Sequence, residues 1–183
     1  MQTSEAPAFS ASTGHERNGR NLGGEEVYVP NATASAKTMS GMRLGDVLVF
    51  YHSTAPPSDS EWESVLDLYR KIPDVSKVRT FVYTEGAAPN AAQRARLTAV
   101  LRDRKPPMAV VTPSQLARAI GTAIRWFNPS FQVFAPSELE KAFLHLRASA
   151  AEKRAIERAL AELKSEVRDA IHSSPPPRAA ARE

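Results

Sequence analysis

From Asp46 to Leu146 the chain alternates, four times over, a short apolar segment with a longer amphipathic one. No other feature narrows the fold as far. "DVLVFYHS", "VRTFVYT", "MAVVT" and "FQVFA" are runs of apolar and β-branched residues bounded by turn formers, and they read as strands. Unbroken apolar runs such as "MAVV" suit strands covered on both faces, as in parallel sheets. Between them, Trp62, Val65, Leu66, Tyr69 and Ile72 fall on one helical stripe. Leu97, Val100 and Leu101 give the inner face of a second helix. Leu116, Ile120, Ile124 and Phe127 do so for a third, and Leu139, Phe143 and Leu146 for a fourth. The order β–α–β–α–β–α–β–α predicts an α/β domain with a mainly parallel sheet of four to five strands and helices packed on it.

Helix-start chemistry agrees with these periods. Ser58 with Glu61, or Ser60 with Glu63, has capping-box spacing before the first helix, and Asn90 with Gln93 has it before the second. Thr112-Pro113-Ser114-Gln115 combines a capping hydroxyl with proline at the first helical position. Ser137 and Glu140 are spaced to open the fourth. Agreement between local and periodic signals is itself a mark of a specified fold.

The flanks read differently. Residues 1–24 are polar and rich in Ser, Gly and Asn, with too little apolar surface to offset ordering, so a disordered tail is expected. Residues 25–45 hold an edge strand, "EEVYVP", and then a loop, "NATASAKTMSGMRLG", which places the start of the domain at 46 and its end at 148. Ser149 and Glu152 open a separate charged helix over 149–172, with a break near Ser149. Residues 173–183 form a mobile Pro-rich tail. The stripe Ile156, Leu160, Leu163, Val167 and Ile171 needs a cover. The sheet domain is the simplest one. A second copy, as a two-stranded coil and homodimer, is the alternative that makes these five residues interface candidates.

The chain lacks cysteine, which excludes disulfides, thiol catalysis and thiolate metal sites. It has no apolar run near the ~18 residues of a membrane span. A cytoplasmic location is expected, and no cofactor or metal. A net charge of +4 is too small to imply nucleic acid. His52 stands beside Ser53 and Thr54 but without a Gly-x-Ser-x-Gly elbow, so it reads as a surface histidine rather than a catalytic base. The local charge is uneven. Asp59 to Asp74 carries five acids and two bases, whereas Ala91 to Arg125 carries seven bases and one acid.

The segments "DVLVFYH", "EWESVLDLYRKI", "FVYTEGAAPNAAQRARL", "AVVTPSQLARAIGTAIRWFNP" and "FQVFAPSELEKAFLHL" together resemble bacterial STAS-like domains, the SpoIIAA-like/SEC14-like group related to anti-sigma-factor antagonists. The resemblance spans Asp46 to Leu146 and implies a non-catalytic regulatory module that signals by binding a protein partner. Antagonists of that family carry a phosphorylated Ser or Thr at the helix after the central strand. Here that loop is Glu85-Gly86-Ala87-Ala88-Pro89-Asn90 and holds no hydroxyl, although Thr84 precedes it. The partner-contact candidates are Thr84, Glu85, Gly86, Asn90, Thr112 and Ser114 at the strand ends, with Arg94, Arg96 and Arg102 on the basic helix meeting an acidic partner. Trp126 would anchor an interface if exposed. The SEC14-like side implies the alternative, a nucleotide or lipid held over the same strand ends near His52, where open α/β sheets take ligands.

Overall fold

A computed structural model describes residues 25–27 (backbone only), 37–102, 104–115, 118 and 129–173. Residues 1–24 and 174–183 of the expected tails, the stripe of the third helix (Leu116, Ile120, Ile124, Phe127) and Trp126 lie outside the described residues, while Ser173 belongs to the last helix.

The α/β architecture holds. Strands β1 (Glu25–Val27), β2 (Met39–Leu44), β3 (Val47–His52), β4 (Arg79–Thr84), β5 (Met108–Val111) and β6 (Phe131–Phe134) form one sheet in that order. The pairs β1–β2 and β2–β3 are antiparallel, and β3 to β6 run parallel. Sequential parallel strands joined with one hand of crossover put their connecting helices on one face. Accordingly α1 (Asp59–Arg70) and α2 (Ala91–Leu101) pack together on that face, whereas α3 (Leu139–His145) and α4 (Ala150–Ser173) cover the other.

Alternation along β3 divides the core in two. Val47, Val49 and Tyr51 join Phe81, Phe143, Ile156 and Leu163 on the α3/α4 side, while Leu48 and Phe50 join Trp62, Leu66 and Tyr69 on the α1/α2 side. All six β3 residues are buried, as the unbroken apolar run requires. The α1 stripe from Trp62 to Ile72 is buried as expected. The first capping box proves to be Ser58–Glu61, and the second is Asn90–Gln93. Ser149 and Glu152 also exchange hydrogen bonds at the start of α4, after a break at Arg147 and Ala148.

Three expectations are corrected. First, "MSGMRL" is strand β2, not loop. Its inner positions are disguised: a Cβ at Gly41 would sit 2.4 Å from the Phe50 ring, so no side chain fits, and Ser40 is buried by bonding Glu166 of α4 (2.7 Å). The hairpin turns at Gly45, φ 58°, the one positive φ of that two-residue loop, as a type II′ turn demands. Second, α4 is not a separate element. Ile156, Ala159, Leu163 and Val167 enter the main core with at most 2% exposure, and Leu160 packs against it. Burying four such side chains contributes several kcal/mol, at about 25 cal/mol per Å². The stripe is therefore an intramolecular interface, and only Ile171, 44% exposed, remains for a homodimer contact. Third, Ser137 and Glu140 form no cap. A 3-10 turn at Pro136–Glu138 precedes α3, and Glu138 reaches back to the Ala135 N–H (3.1 Å).

Two helix ends are unusual. α2 stops on Arg102 (φ 49°), and the turn after α3 passes through Arg147 (φ 52°). At Arg147 the bonds Arg147 N–H to Leu144 O and Ala148 N–H to Phe143 O, both 3.0 Å, make a Schellman motif. Glycine normally takes that position, because an L side chain in the left-handed region costs roughly 1–2 kcal/mol.

Candidate functional site

The carboxyl ends of β3, β4 and β5 bring together most of the sequence-predicted residues. Three loops leave there: Ser53–Ser58, Glu85–Asn90 and Thr112–Ser114. They are knitted to each other through the backbone. Glu85 N–H donates to His52 O (3.0 Å), Ala87 N–H to Ser53 O (3.4 Å), and Ser53 N–H to Thr38 O (2.8 Å).

Ser53, Thr84 and Thr112, where the three loops begin, have engaged hydroxyls. Thr84 Oγ1 donates to Ala87 O (2.6 Å) and accepts from Gly86 N–H (3.1 Å). Ser53 Oγ accepts from Ala55 N–H, and Thr112 Oγ1 from Ser114 N–H, both at 3.2 Å. Asn90 Oδ1 accepts from Gln93 N–H (2.9 Å), and Gln93 Nε2 in turn donates to Pro57 O and Asp59 Oδ1. Thr84, Asn90 and Thr112 thus spend hydrogen-bonding capacity on shaping the loops. Pro56, Pro57, Pro89 and Pro113 fix φ along the same stretch.

Glu85 is tied to α4. Its carboxylate pairs with Lys164 Nζ at 3.0 Å, and that ammonium lies 5.8 and 5.4 Å from the Tyr51 and Tyr83 ring centroids. The Lys164 hydrogen bond holds the Glu85 carboxyl below its ordinary range. Burial, reinforced by Glu85, pushes the Tyr51 phenol up to about 12.

Glu61 anchors the other side. It accepts from Thr38 N–H (2.6 Å) and Oγ1 (2.8 Å), Met39 N–H (3.3 Å), and Ser58 N–H and Oγ (both 2.8 Å). Burial opposes its charge, but these donors outweigh burial and leave its pKa lowered. The sequence marks Glu61 only as a helix cap. Its second task, fixing the start of β2, leaves no local signal.

His52 is not a surface residue. It is 5% exposed, on the α1/α2 face at the end of β3, and its Nδ1 is buried without a hydrogen-bond partner among the described residues. Burial pushes the imidazole down to about 4, against the opposing field of Glu61. It is therefore neutral at pH 7.

The expected division between an acidic first helix and a basic second one does not survive packing. Arg96 bridges Asp59 (2.7 Å) and Glu63 (3.2 Å), so α1 and α2 neutralise each other across their contact. Arg94 remains exposed and donates to Pro89 O (2.6 Å). Arg102 is at the opposite end of α2, away from these loops. Of the three predicted arginines, only Arg94 stands at this rim.

Among the described residues no group of three His, Asp or Glu side chains is placed to hold a metal ion, and no helix is long and apolar enough to cross a membrane. A concavity of about 530 Å³ lies at the opposite end of the sheet, away from the sequence-predicted residues. No family model, curated protein or solved structure matches this chain.

Proposed function

We propose that this chain is a non-catalytic regulatory module of the STAS-like type, and that it binds a protein partner through the loop tips at the carboxyl ends of β3, β4 and β5. The observation that carries this reading is the self-sufficiency of those loops. Their hydroxyls and caps bond within the chain, so Thr54, Pro56, Gly86, Ala88 and Pro113 are exposed on a surface already in place. A preorganised surface loses little conformational freedom on docking. Arg94 at its edge gives an acidic partner something to meet. The alternation of strands and helices along the chain, on which the STAS-like resemblance rests, supports the reading.

The test is a photo-crosslinking amino acid at Ala88, with Leu144 (76% exposed, on α3) as control position. A protein captured from Ala88, not from Leu144, and lost with Arg94→Glu supports the reading. Equal capture from both positions, or none from Ala88, sinks it.

One observation favours the second reading, a small ligand at the same strand ends: the unpartnered Nδ1 of His52. Native mass spectrometry with no retained mass, together with no thermal shift from nucleotides or lipids, removes it.

A further inference from the structure

The concavity at the amino ends of β4, β5 and β6 is lined by Ser76, Lys77, Arg79, Ser130, His145 and Arg147 among others, and among the described residues no carboxylate is in its lining. Its volume, about 530 Å³, is in the range of a bound small organic molecule and larger than a bare phosphate needs. Pro107, Pro129 and Leu146 supply apolar wall.

Its cations are not equivalent. Arg79 is built in: it pairs with Glu152 at 2.5 Å and donates to the carbonyls of Leu146 and Arg147 (3.3 and 3.4 Å), so it holds the junction of α3 and α4. His145 contacts Ser130 O through Nε2 at 3.0 Å and joins the two sides of the rim. Lys77 is 75% exposed, and its nearest carboxylate, Asp74, is 3.8 Å away, too far for a direct hydrogen bond. Arg147 has no carboxylate partner among the described residues. It also occupies the left-handed position that glycine fills at lower cost. Helix-end electrostatics favour basic residues near the last turn, but they do not require one at that backbone conformation.

We propose that this concavity binds a phosphorylated organic molecule, with its phosphate on Lys77 and Arg147 and its organic part against Pro107 and Leu146. Lys77 supplies a mobile point charge and Arg147 a planar fork, the pairing that phosphate recognition uses. The shared chemistry is a phosphate ester, from a soluble metabolite or from a lipid headgroup. The site is at the other end of the sheet from the proposed partner surface, and neither reading depends on the other.

Calorimetric titration of the full chain with pyrophosphate and with ADP tests the soluble source. Co-sedimentation with phosphatidylcholine vesicles, with and without phosphatidic acid, tests the lipid source. Lys77→Ala and Arg147→Gly are each expected to weaken binding by about tenfold or more, the loss of one charge-assisted contact. Arg147→Gly is expected to do so while the melting temperature holds or rises, which separates lost recognition from lost folding. Binding of neither probe at about 1 mM, with no phosphatidic-acid-dependent sedimentation, overturns the proposal. So does binding that both variants leave unchanged.

Discussion

The two ends of the sheet are built on opposite terms. At the carboxyl ends the polar side chains bond mostly to nearby backbone: Thr84, Asn90, Thr112 and Glu61 each hold a loop or a strand start in place. At the amino ends, Lys77, in a loose 3.8 Å pair with Asp74, and Arg147 face an open concavity, and two helices stop on strained arginines. The first end is knit by its own hydrogen bonds, with the buried His52 Nδ1 as the exception; the second carries charge and strain. A preformed rim suits contact with another preformed surface. A strained, cationic hollow suits an anion that the fold itself does not provide.

The largest test of this contrast is Glu61→Ala. It leaves the donors of Thr38, Met39 and Ser58 buried or half-buried with no acceptor, and is expected to cost about 3 kcal/mol or more in urea denaturation. A loss under 1 kcal/mol would mean that this end is not held as tightly as its hydrogen bonds indicate.

Acid titration gives the next effect. His52 titrates near its ordinary 6.5 once unfolded but near 4 when folded, so between those values the unfolded chain binds more protons and stability falls as pH falls. The window from about pH 6.5 to 4 should cost on the order of 3 kcal/mol, and His52→Leu should flatten it. Glu152, held down to about 2 first by Arg79 and then by Ser149, acts lower. Its contribution is present above the ordinary carboxylate range and is lost as pH falls from about 4.5 toward 2. Melting curves from pH 7.5 to 4.5 separate the two groups, because only His52 titrates in the upper part of that range.

A smaller effect, of opposite sign, is expected at the strained end. Arg102→Gly should raise stability by about 0.5–1 kcal/mol by relieving its left-handed backbone. A loss instead would show that the Arg102 side chain stabilises the fold. The smallest effect is on the α1–α2 surface: Arg96→Ala should cost below about 1 kcal/mol, and less at high salt, since Arg96 and Glu63 are only half-buried and Asp59 is exposed.

What could be read from the sequence follows from how local each signal is. The α1 stripe, the Ser58 and Asn90 boxes and the β3 run are decided within about ten residues, and all three hold. Strand β2 was invisible because its pattern depends on the partner: Gly41 makes room for Phe50, and Ser40 is buried by a carboxylate 126 positions away. The docking of α4 was partly legible: its stripe needs a cover and the sheet is the simplest, though periodicity alone also allows a second copy. His52 read as exposed because burial at a strand end depends on what α1 places over it. The concavity had no linear signature: its lining comes from three strand starts and the α3–α4 junction.

The sequential strand order also shapes how the chain reaches this state. Each parallel pairing joins segments only roughly 20–30 residues apart, short loops to close for a parallel sheet. The exception is α4, which must travel back over the finished sheet to reach β2 and β3, where Glu166 meets Ser40 and Lys37. Its docking should therefore come last, with φ-values near zero for Leu163→Ala and Val167→Ala in refolding kinetics. Until that helix arrives, the β2 and β3 part of that face is uncovered, and a nascent or truncated chain is most prone to aggregate in that interval.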